Sequence, residues 1–165
     1  MAKKRLLPGI IVIILVFGAA LTACTDKSDK SINGSWASNG FEIKLKDGKF
    51  EETVNDVSFR KGTYTAKNGE IAIVPTHIFG AGFNTLLGLS EEDSGFESKW
   101  YSINDFLAAL KTVMIKMGLS EDEAEKYNDG FVNSFSSADN VSTYYINGNT
   151  LSLTTDGVTL NFTRK

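Results

Sequence analysis

The stretch VSTYYINGNTLSLTTDGVTLNFT, residues 141–163, decides the fold. Val141 to Ile146 is rich in β-branched and aromatic residues and stops at Asn147-Gly148-Asn149. Leu151 and Leu153 then alternate with Ser152 and Thr154. Asp156-Gly157 turns the chain again, and Val158, Leu160 and Phe162 alternate with Thr159, Asn161 and Thr163. A period of two is that of a half-buried strand. Asp-Gly and Asn-Gly pairs tolerate the positive φ angles that tight hairpins require. The stretch therefore predicts three antiparallel strands joined by short turns.

The same element recurs near the start of the chain. Gly34 to Ser38 begins it, and Phe41, Ile43 and Leu45 alternate with Glu42, Lys44 and Lys46 before Asp47-Gly48. Lys49 to Val54 returns, Asn55-Asp56 turns, and Val57, Phe59 and Thr63-Tyr64-Thr65 form a further strand with a bulge expected at Gly62. Asn68-Gly69 is another hairpin signal, after which Ile71, Ile73 and Pro75 share a face, the proline suiting a strand end or an edge. Residues 62–73 echo residues 142–153: each reads Thr-Tyr, turn, alternating aliphatics.

Between the two blocks the pattern changes. Thr76 to Ser90 is apolar and glycine-rich, with Ile78 to Leu89 reading as a loop, Glu91-Glu92-Asp93 as an acidic turn and Phe96 to Tyr101 as an added strand. Ser102 and Asp105 have capping-box spacing, and Phe106, Leu110, Val113, Met114 and Met117 share one helical face up to Gly118. Ser120 to Glu123 opens a second, shorter helix whose face is Ala124, Tyr127, Phe131 and Phe135, weakened by Gly130. The fold class that follows is mainly β. It is an antiparallel up-and-down meander of about eight strands closing into a barrel, because a sheet this size must hide its edges, with a helical hairpin inserted at about 102–135.

The first 24 residues carry an address. Met1 to Arg5 is basic, Leu6 to Leu21 is apolar, and small residues precede Cys24, the only cysteine. The apolar run is shorter than the ~20 residues that span a bilayer, so it reads as a signal peptide. Leu21-Thr22-Ala23-Cys24 resembles the lipobox of bacterial lipoproteins. That resemblance implies removal of residues 1–23 and acylation of Cys24 by chains such as palmitate. It implies anchoring at a membrane of the cell envelope; Thr25, where enterobacterial lipoproteins retained at the inner membrane have aspartate, points to an outer membrane where one exists. Residues 24–32 read as the lipidated terminus and a flexible tether, and 33–165 as the folded domain.

Gly34-Ser35-Trp36 resembles the Gly-x-Trp signature of lipocalins, and the body resembles the lipocalin-like domains of small bacterial lipoproteins over about 33–76 and 140–165. In lipocalins an arginine on the last strand packs on the tryptophan, a role the resemblance gives to Arg164.

Without Lys3, Lys4 and Arg5 the chain keeps fourteen basic against twenty acidic residues. That balance argues against nucleic acid as a partner and against a basic membrane-binding face. One cysteine allows no intramolecular disulfide and no cysteine metal site. His77, the only histidine, has no metal or triad partners in its pattern and reads as a loop or strand-end residue. The carboxylates at 91–93 and 121–125 show no calcium-loop spacing, and the second group suits a helix N-terminus. Gly80-Ala81-Gly82 lacks the Gly-Lys-Ser/Thr ending of a phosphate loop. No cofactor, metal or catalytic set is expected, and the chain reads as a non-enzyme.

Three functions remain open at this point. A small apolar ligand or lipid would sit in the barrel among Phe79, Phe83, Trp100, Phe106 and Leu110. A protein partner would dock on the helical hairpin of a filled barrel. A carbohydrate hydrolase would need two carboxylates across a cleft, which the pattern does not assemble.

Overall fold

The computed structural model describes residues 29–116, 118–136 and 141–165, with 132–136 as backbone alone. The signal sequence, Cys24 and the tether up to residue 28 lie outside the described residues, as does Met117.

The alternating segments become strands. They are β1 (Gly34–Ser38), β2 (Phe41–Lys46), β3 (Lys49–Val54), β4 (Val57–Lys67), β5 (Glu70–Phe79), β6 (Trp100–Ser102), β7 (Ser142–Asn147), β8 (Thr150–Thr155) and β9 (Val158–Arg164). The turns form for the reason the sequence suggests. Asp47-Gly48, Asn68-Gly69 and Asp156-Gly157 all take positive φ at both residues, the conformation whose twist matches that of paired strands. Asn39-Gly40 adds a fourth such turn between β1 and β2.

Eight of the nine strands close an up-and-down antiparallel barrel, in the order β1-β2-β3-β4-β5-β7-β8-β9 and back to β1. Two seams are short. β1 meets β9 at Trp36↔Arg164 and Ala37↔Thr163, and β5 meets β7 at Glu70↔Thr143 and Ile71↔Ser142. β4 and β5 are the longest strands and run on beyond the barrel as a ribbon, with the register shift at Lys61/Gly62 opposite Pro75. β6 adds to the overhanging end of β5 at His77, Ile78 and Phe79.

The helices cover that overhang. They are α1 (Gly80–Leu87), α2 (Glu91–Ser94), α3 (Ile103–Lys116) and α4 (Glu121–Ser136). The α3–α4 hairpin falls where the apolar spacing puts it, and both capping boxes form: Asp105 N donates to Ser102 Oγ at 3.2 Å, and Ser120 N to Glu123 Oε2 at 3.0 Å. α4 is sixteen residues against fourteen for α3, so Gly130 does not shorten it.

Two expectations are corrected. The loop expected over 78–89 is regular structure up to residue 87: Ile78 and Phe79 end β5, and 80–87 are helical. The reason is the glycines. A Cβ at Gly82 would overlap Ser58 O and lie 2.7 Å from Phe59 Cα, and one at Gly80 would overlap Glu97 O. The bare Gly82 lets α1 lie directly on the β4 backbone, and the bare Gly80 lets its first turn meet the Glu97 backbone. The strand expected over 96–101 shrinks to 100–102, because Phe96 turns inward as core and its N–H is held by Ser94 Oγ at 3.0 Å.

Two cores result. Ile43, Leu45, Phe50, Tyr64, Ile71, Ile73, Leu151, Leu153 and Phe162 fill the barrel around Trp36. Phe59, Ile78, Phe83, Phe96, Phe106, Leu110 and Val113 fill the space between overhang and helices.

Gly82→Ala is expected to destabilise the fold by about 1–3 kcal/mol, the usual cost of overpacking, in urea unfolding. Gly130→Ala, with nothing within 4 Å of the added carbon, should stabilise it by roughly 0.8–1 kcal/mol through helix propensity. Equal effects at the two glycines would contradict the packing account.

Candidate functional site

The chain comes into the barrel across one end. That end carries the turns at 47–48, 68–69 and 148–149, the start of β1 and the close of β9; the opposite end carries the other three turns and the helices. Asp29 N donates to Ala66 O at 2.7 Å, and Lys30–Ile32 make one tight 3-10 turn. Ile32 is fully buried, so Asp29 to Ile32 are fixed to the barrel where the sequence reads as tether. Trp36 is also fully buried, and its indole N–H donates to Ile32 O at 2.9 Å. The Arg164 guanidinium lies 4.2 Å from the Trp36 ring and donates to the carbonyls of Ser31 (3.3 Å) and Asn33 (3.4 Å).

Two tyrosines complete the closure. Tyr64 OH donates to Asn33 Oδ1 and Tyr144 OH to Asp29 Oδ2. The Tyr144 bond, helped by the Ser31 N–H, holds the Asp29 carboxyl below its ordinary 3.8. Burial, and then the bond to Asp29, push the Tyr144 phenol up to about 12.

The five aromatic and aliphatic positions proposed for a ligand do not converge. Phe83, Phe106 and Leu110 are at most 2 % exposed and belong to the second core. Phe83 meets Phe106 edge-on at 4.9 Å, and Phe106 stacks on Phe96 at 4.9 Å. Phe79 and Trp100 pair at 5.1 Å on a half-exposed strand face, away from that cluster. Burial of each such apolar side chain is worth about 1.5–3 kcal/mol. A ligand that parted three of them would start from a deficit of several kcal/mol.

One interior feature escaped the sequence reading. Glu52 and Arg60 face each other across β3 and β4 inside the protein, bridged by Arg60 Nε to Glu52 Oε2 and by Nη2 to Oε1 at 3.1 Å, with both side chains almost wholly buried. The signal was present: Phe50, Glu52 and Val54 alternate inward. Arg60 was harder to see, because two consecutive residues, Phe59 and Arg60, are buried there beside the register shift. Such a pair contributes little net stability, while loss of one partner typically costs about 3–5 kcal/mol.

The outer face of the helical hairpin is polar. Glu121, Asp122, Glu123, Glu125, Lys126 and Asp129 are exposed, and Ile115 is the one large exposed apolar side chain among the described hairpin residues. Among the described residues no group of three or more His, Cys, Asp or Glu is placed to hold a metal ion. None of their helices is long and apolar enough to cross a membrane. No known protein family, curated protein or solved structure matches the chain.

The Asp29–Tyr144 bond gives a test of the closed end. The raised Tyr144 value means stability that is complete below pH 10 and is lost as pH rises toward 12; the lowered Asp29 value means stability present above 3.8 and lost as pH falls. In an absorbance titration at 295 nm, Asp29→Asn should lower the highest tyrosine pKa from about 12, with burial still holding it above the ordinary phenol value. An unchanged titration would mean that the two groups do not meet.

Proposed function

We propose that the chain is a bacterial envelope lipoprotein, held at a membrane surface by acyl chains on Cys24, and that it works as a binding module through its outer surface. The lipobox-like Leu21-Thr22-Ala23-Cys24 carries the anchoring, and the position of Asp29, fixed to the barrel end only five residues after Cys24, gives it an orientation. Five extended residues reach at most about 17 Å. A lipid on Cys24 would therefore keep the end closed by Trp36 close to the membrane and the helices directed outward.

Charge supports the same orientation. Residues 80–140 hold eleven acidic and four basic residues, whereas residues 29–79 hold seven of each. An anionic membrane repels the helical part more than the barrel. Two or more acyl chains suffice for stable anchoring, each buried CH₂ adding about 0.8 kcal/mol.

The filled interior favours the interaction-module reading over a ligand in the lumen. Trp36, Ile43, Leu45, Leu151 and Leu153 are all at most 1 % exposed and occupy the positions where a bound lipid would lie. The polar hairpin does not offer an apolar docking face, so the contact surface is sought elsewhere on the barrel.

Cells expressing the chain and fed an alkyne-bearing palmitate analogue should incorporate label into the wild-type protein in the membrane fraction. Cys24→Ser should abolish the label and leave the leader uncleaved. Equal labelling of the two, or an unlabelled wild-type protein, would overturn the lipoprotein reading.

A further inference from the structure

The outer face of β2 to β5 carries a row of lysines. Cross-strand register places Lys44, Glu51, Lys61, His77 and Ser102 side by side on β2, β3, β4, β5 and β6. The next row is Lys46, Lys49 and Thr63. All of these but Ser102 border an open depression of about 790 Å³ whose lining also includes Asp47 and Thr76.

Two features set this face apart from a merely solvated surface. Lys44, Lys46 and Lys49 form no ion pair or hydrogen bond through their side chains among the described residues, although the chain is acidic. Lys46 and Lys49 also stand directly opposite each other, and like charges so placed destabilise a sheet. Lysines often guard free strand edges against aggregation. β2, β3 and β4 are paired on both sides, so that role does not apply here.

At the far end of the same face the Lys61 ammonium lies 4.1 Å from the Trp100 ring, which packs on Phe79. The face thus offers separated cations, exposed hydroxyls at Thr63 and Thr76, and an aromatic pair. The lysines run from β2 to β4, two strand spacings or about 9–10 Å, with the aromatic pair beyond them on β5 and β6. That is too long for one phosphate or carboxylate and suits charges repeated along an extended chain.

We infer that the lysine face of β2–β5 is a binding site for an acidic polysaccharide, whose carboxylate or phosphate groups pair with Lys44, Lys46, Lys49 and Lys61 while a sugar ring meets Trp100. This deepens the outer-surface reading proposed above and does not depend on lipidation of Cys24.

The test is a titration of the full chain in neutral detergent with polygalacturonate, followed by calorimetry and tryptophan fluorescence. Trp36 is sealed in the core, so a change in emission reports Trp100. Binding is expected to weaken with salt, log Kd rising against log salt with a slope of about 2–3, near that of polyanion contacts made by three or four lysines. The Lys44→Gln/Lys46→Gln/Lys49→Gln/Lys61→Gln variant should bind at least tenfold more weakly with an unchanged far-ultraviolet spectrum. Should that variant fail to fold, Lys46→Gln/Lys49→Gln should still weaken binding and flatten the slope. Lys116→Gln/Lys126→Gln on the helices should leave it unchanged. Equal binding by wild type and the lysine variants, or equal binding of neutral dextran, would overturn the site. Phosphatidylglycerol in the same micelles giving the Trp100 response without polysaccharide would show that lipid headgroups are the ligand and overturn the assignment. Loss of acyl label in Cys24→Ser with binding intact would leave this inference standing apart from the anchoring.

Discussion

Trp36 lies at the point where the chain becomes a barrel. Its ring is fully buried, its N–H is held by Ile32 and its face is covered by Arg164 from the last strand. Burial of a tryptophan removes roughly 150–250 Å² from water, which at about 25 cal/mol per Å² outweighs the hydrogen bond several-fold. The contact joins the first strand, the last strand and the turn before the first strand. It therefore closes one of the two short seams, β1 to β9, where only two residue pairs meet. It also fixes where the preceding chain leaves the fold.

From that closure the rest of the architecture follows. With one end sealed and the lumen filled, the other end must be finished differently. β4 and β5 overshoot the barrel, and the helices bury the apolar face of that overhang. Gly82 of α1 lets a helix and a strand touch backbone to backbone. The second core is thus a lid of protein on protein, and the surfaces left for recognition are on the outside.

Much of this was legible in the sequence because it is written in local chemistry. The alternation in β8 and β9 and the Asp-Gly and Asn-Gly turns each involve residues within a few positions of one another. The capping boxes at Ser102 and Ser120 marked the helix starts for the same reason. α1 was not legible, since Gly-Ala-Gly is a poor helix former and the helix is chosen by what it packs against. Phe83 and Phe106 read as either pocket or core, since apolar residues at helical spacing serve both, and only the rings that surround them decide for core. The lysine face was hidden twice: by a net negative charge, and because Lys44, Glu51, Lys61 and His77 become neighbours only through strand register. Cys24 is the reverse case, prominent in the sequence and outside the described residues.

The proposed anchor at Cys24 implies an orientation: the Trp36 end of the barrel toward the membrane, the acidic helices away from it. The chain has a single cysteine, so once its sulfur carries lipid an introduced cysteine is the only free thiol. A fluorescent donor on Asn149→Cys, in the turn bonded to Arg164, can be compared with one on Lys126→Cys in α4, in lipidated protein on vesicles with an acceptor at the bilayer surface. With that orientation, energy transfer from position 149 is expected to be markedly higher than from position 126. Equal transfer, or the reverse order, would contradict it.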